Sequence, residues 1–116
     1  MPSIPTEAYH YFDNKIYLPM LITVLERDVE SFDKLPFKLN RPYLAVIDKA
    51  LKYIRADLKA ADIYLTRHNM RLVRNRLDEQ YSEFVFIYAG HEERRKYTSD
   101  ELRIKCEEIL GTYFVK

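Results

Sequence analysis

From Leu44 to Leu65 the apolar side chains Leu44, Ile47, Leu51, Ile54, Leu58, Ala61 and Leu65 recur at alternating spacings of three and four. That period puts them on one stripe of a single helix, predicted from Arg41 to about Thr66. An earlier face, Leu18, Leu21, Ile22, Leu25, Val29 and Phe32, predicts a main helix from about Asn14 to Lys34, with Thr6 and Asp13 as alternative caps and room for an earlier turn before it. Pro19 brings no N–H to it, so the helix is expected either to kink there or to start there. In Leu35-Pro36-Phe37-Lys38-Leu39-Asn40-Arg41-Pro42, two prolines forbid a continuous helix. Asn40 is suited to cap the second helix, with Pro42 in its first turn. Phe37 and Leu39 are expected to tuck over the end of the packed helices.

A third series, Met70, Val73, Leu77, Tyr81, Phe84 and Tyr88, again keeps helical spacing and predicts a helix that starts between Met70 and Asp78 and runs to about Arg95. Asn69 tolerates the left-handed conformation that ends helices and marks the break before it. Thr98 and Glu101 form a capping-box pattern that starts a fourth helix carrying Leu102, Cys106, Ile109, Leu110 and Tyr113. Met1 to Pro5, with two prolines, reads as an irregular arm. Four amphipathic helices with short connections predict one all-α domain over residues 1–116, an antiparallel four-helix bundle.

Composition supports a folded chain: 47% of residues are apolar and 32% charged. With only two glycines, Gly90 and Gly111, the turns of an all-β protein are hard to build. The net charge of +1 supplies no global field, so an anionic partner would have to be met by a local patch. No membrane partner is expected, because the longest nearly uninterrupted apolar run, Ile16 to Leu25, is too short to span a bilayer. Cys106 is the one cysteine and has no partner for a disulfide or a zinc motif. With no signal-like start at Met1 to His10, it points to a cytoplasmic protein.

Candidate chemistry is sparse. Arg67, His68, Arg71, Arg74 and Arg76 form a basic run; on a continuous helix Arg67, Arg71 and Arg74 would make one cationic stripe for phosphates. Asp78, Glu79 and Glu83 follow at once and weaken that reading. His91-Glu92-Glu93 is the one place where a histidine and carboxylates adjoin, yet neither Glu-x-x-His nor HExxH occurs, so no metal and no cofactor is expected. Cys106 lies on an apolar face, where cysteine acts as a small hydrophobe. Ten tyrosines exceed what one small core needs, and such aromatics are enriched at interfaces. A second stripe on the first helix, Tyr9, Phe12, Ile16, Met20 and Val24, is left over by its main face. These features favour a non-enzymatic interaction protein that self-associates as a homodimer or binds a protein partner through this stripe. A nucleic-acid-binding or regulatory module using Arg67 to Arg76 is the alternative.

Lys15-Ile16-Tyr17-Leu18-Pro19-Met20, Glu26-Arg27-Asp28, Pro36-Phe37-Lys38-Leu39 and Pro42-Tyr43-Leu44, with Asn69-Met70 and the carboxylates near Asp78, resemble small helical Bacillus proteins of the YhjD type. The shared motifs are structural and not catalytic, so no functional residue is carried over. The resemblance implies a cytoplasmic bacterial protein.

Overall fold

A computed structural model describes residues 3–34 and 41–116. The expected connection at Leu35 to Asn40, including the capping role of Asn40 and the packing of Phe37 and Leu39, lies outside the described residues. In chain order come α1 (Ala8–Lys34), α2 (Arg41–Arg67), β1 (Met70–Arg76), β2 (Tyr81–Tyr88), β3 (His91–Thr98) and α3 (Ser99–Phe114). The fold is therefore α+β, and the four-helix bundle is not formed. The segment expected as a third helix, starting between Met70 and Asp78 and running to about Arg95, is instead part of an antiparallel sheet in the order β1-β2-β3.

The reason lies in side-chain shape and period. Phe84-Val85-Phe86-Ile87-Tyr88 is a continuous run of aromatic and β-branched residues, which favour a pleated backbone over a helix. The register pairs Leu72 with Phe86 and Phe86 with Glu93. Alternation sends Met70, Leu72, Phe84 and Phe86 to the face that meets the helices, while Val73 and Val85 point the other way. The helical spacing of Met70, Val73, Leu77, Tyr81, Phe84 and Tyr88 thus mixes residues from both faces of the sheet. The first turn is made without glycine: Asp78 Oδ1 accepts from the N–H of Gln80 and Tyr81 at 2.7 and 2.8 Å. Ala89 and Gly90, both at positive φ (50° and 78°), close the second hairpin.

Helix α1 begins six residues before the expected Asn14 and carries Pro19 in its interior. Asn69 takes the left-handed conformation (φ 53°) between α2 and β1. At α3, Thr98 accepts from the Glu101 N–H at 3.0 Å and Glu101 accepts from the Thr98 N–H at 3.3 Å, the reciprocal pair read from the sequence. Residues 3–5 are irregular, yet Ile4 is buried in the core.

Two apolar clusters result. The N-terminal half of α1 (Ala8, Phe12, Ile16) packs with Leu65, Met70, Phe84, Phe86 and Leu102, and its C-terminal half (Leu18, Leu21, Leu25) packs with Ile47, Leu51, Ile54 and Tyr113. Helix α1 is the shared stave: α2 packs along both of its halves, and the sheet packs against the N-terminal one. Tyr113 donates to Asp57 at 2.6 Å and ties α3 to α2. Among the described residues no helix is long and apolar enough to cross a membrane.

Candidate functional site

The leftover stripe of α1 does not stay together at the surface. Phe12 and Ile16 are buried, and Phe12 stacks on Phe86 with centroids 4.4 Å apart. Tyr9 is half-buried and donates its hydroxyl to Glu93 at 2.7 Å. The sheet that formed in place of the third helix covers this part of α1; further along the stripe Met20 is half-buried and Val24 exposed.

The basic run is divided in the same way. Arg67 ends α2, and His68 stacks on Tyr64 with its Nδ1 2.8 Å from the Tyr64 carbonyl. Strand alternation then separates Arg71 from Arg74 and Arg76, which share the face of Phe84. In β3 it likewise parts Glu92 from His91 and Glu93, so the His91-Glu92-Glu93 cluster is split. Among the described residues no group of three or more histidine, cysteine or acidic side chains is placed to hold a metal ion.

What the fold does bring together is the exposed remainder of both motifs. Met20 and Val24 of α1, Arg74 and Arg76 of β1, Ser82 of β2, and Leu102, Arg103 and Cys106 of α3 line a groove of about 300 Å³. Its floor is apolar, with the Cys106 thiol 4.0 Å from the Met20 sulfur. Burial pushes the Cys106 thiol up from its ordinary value, so it stays protonated and acts as part of that floor. The walls are cationic. Among the described residues Arg74 donates only to the Ser82 hydroxyl, at 3.5 Å, and lies 5.5 Å from the Phe84 ring centre. Arg76 has no side-chain partner among the described residues, whereas Arg103 is engaged with Asp100 and Glu107. Asp78 and Glu79 stand at the rim, and the Asp78 carboxylate is occupied by the turn it caps. Ser99 holds the rim in place, donating its hydroxyl to the Glu79 carbonyl at 3.0 Å and its N–H to the Gln80 carbonyl at 2.7 Å.

A second polar constellation is structural in character. Arg95 donates to Glu93 at 2.7 Å and lies over the rings of Tyr9 and Phe86, at 5.0 and 4.9 Å. The hydrogen bond from Tyr9 lowers the Glu93 carboxyl from its ordinary value; burial opposes this, and Arg95 adds to the lowering. Beside it, burial raises the Asp13 carboxyl despite the nearby charges of Arg95, Lys105 and His10. Groove and constellation were both invisible in the helical reading, because each depends on the sheet register. The signal that was available is the unbroken run from Phe84 to Tyr88.

Fold and site together describe a small α+β protein: a long helical hairpin closed at one end by a three-stranded meander and a C-terminal helix. The chain belongs to the YhjD protein family, whose model matches residues 3–116. It is similar to the uncharacterized protein YhjD of Bacillus subtilis (strain 168), with 29% identity over 113 residues covering 97% of this chain and 94% of that protein. No solved structure matches.

Proposed function

We propose that this is a non-enzymatic interaction protein whose contact surface is the groove between α1, β1 and α3. It takes a short segment of a protein partner in which an acidic side chain adjoins an apolar one. The observation that supports this most directly is the state of Arg74 and Arg76. Neither pairs with a carboxylate among the described residues, and both flank a floor of Met20, Val24 and Leu102. A guanidinium gains most from a planar carboxylate that it can hold by two parallel hydrogen bonds. The apolar floor favours a partner that also buries hydrocarbon. Self-association through Tyr9, Phe12 and Ile16 has less support, since Phe12 and Ile16 belong to the core and Tyr9 is tied to Glu93. The nucleic-acid reading of Arg67 to Arg76 also has less, since Arg71 faces away from Arg74 and Arg76.

A titration followed by amide NMR tests the groove. A blocked tetrapeptide alternating glutamate and leucine is expected to shift the amides of Val24, Arg74, Arg76 and Leu102. The Arg74→Glu variant is expected to lose most of that response. Equal shifts with the matching lysine-leucine peptide, or none with either, would remove the proposal.

A further inference from the structure

The geometry points to a second contact surface, the outward side of α2, which docks on an anionic phospholipid membrane. At 100° per residue, Val46, Lys49, Lys52, Tyr53, Lys59, Ile63 and Arg67 fall within one arc of less than half the helix. All are exposed; Val46 is 48%, Tyr53 41% and Ile63 41% accessible. None of Lys49, Lys52, Lys59 or Arg67 pairs with a carboxylate among the described residues. The acids of α2 are committed elsewhere: Asp62 pairs with Lys15, and Asp57 accepts from Tyr113 and lies 3.9 Å from Lys116. That leaves Asp48 as the one acid of α2 with no ion pair or hydrogen bond to its carboxylate among the described residues. A protein of net charge +1 thus concentrates unneutralised positive charge along one side of a 27-residue helix.

Charge complementarity requires a polyanion, and the apolar residues decide which one. A nucleic-acid backbone gives no gain for valine and isoleucine held in water between lysines. A lipid interface takes both: lysines meet the headgroup charge while Val46, Tyr53 and Ile63 enter the acyl boundary. The molecule is a slab of 59 × 31 × 18 Å, so a 27-residue helix lying flat against a surface suits its proportions. This surface shares no residue with the groove, and the two proposals stand independently.

Flotation of the full chain with vesicles tests it. One part phosphatidylglycerol in two parts phosphatidylcholine is expected to carry the protein at low salt, and pure phosphatidylcholine is not. Lys49→Gln/Lys52→Gln/Lys59→Gln is expected to weaken partitioning roughly a hundredfold, about fivefold for each charge removed. Val46→Ser/Ile63→Ser keeps every charge and is expected to weaken it roughly tenfold. All five positions are exposed, and unchanged thermal unfolding of both variants checks that the fold survives. Arg74→Glu is expected to leave flotation unaltered. Absence of binding to the anionic vesicles overturns the inference. So does binding that ignores the serine pair and is matched by an RNA duplex, which would make α2 a general polyanion surface.

Discussion

Phe12 and Phe86 lie flat against each other, with ring planes 1° apart, and both are fully buried. This contact fastens α1 to the central strand of the sheet. Phe12→Ala is expected to cost about 3–5 kcal/mol, combining lost transfer energy with the cavity left behind. Urea unfolding measures it. A loss below about 1 kcal/mol would show that α1 and the sheet do not depend on this pair.

Tyr9 and Glu93 offer a subtler test. The Tyr9→Phe variant keeps the ring beneath Arg95 and removes only the hydroxyl. Stability at neutral pH is expected to fall by about 1 kcal/mol, and the Glu93 carboxyl is expected to titrate at higher pH. A carboxyl lowered by folding stabilises above its unfolded value of about 4.3 and loses that contribution as pH falls through its folded value. The gap between wild type and variant should therefore close in acid. Side-chain NMR titration of Glu93 and melting curves at two pH values check both halves.

Asp13 has the opposite sign. Burial raises its carboxyl, so the charged form destabilises the native state above the folded value. Asp13→Asn is expected to raise the melting temperature at neutral pH. The gain should vanish once the pH drops below about 3.9, where an unfolded aspartate is itself protonated. A lower melting temperature at pH 7 would mean that attraction to Arg95, Lys105 and His10 outweighs burial.

The Ala89-Gly90 turn carries an alanine at φ 50°, which strains a side chain that cannot bond to the local backbone. Asparagine is favoured there in two-residue hairpins. Ala89→Asn is expected to stabilise the protein by about 0.5 kcal/mol, read from the shift of a denaturation midpoint at unchanged slope.

Both long helices and α3 were legible from periodicity and capping, because each buries one stripe and the Thr98–Glu101 pair is local. The sheet was not. Met70, Phe84 and Tyr88 satisfy a helical spacing and a strand alternation at once, and the turn at Ala89 lacks the asparagine that would have announced a hairpin. Phe12 and Ile16 lie in the core for the same reason: a face left over by one set of helices is covered by strands that the pattern did not reveal. Of the groove, the sequence named Met20, Val24, Arg74 and Arg76, but in two unrelated motifs. Only register could bring them together.

In the meander β1-β2-β3, strands β1 and β3 are the outer members, and both are rich in charge: Arg71, Arg74 and Arg76 in one, Glu92, Arg94 and Lys96 in the other. A further strand arriving at either margin would have to desolvate those side chains. The aromatic and β-branched run of β2, the segment of this chain most prone to stack into fibrils if left bare, is enclosed between two strands that repel company. Truncation of either neighbour would bare one margin of that run and open it to pairing with another chain.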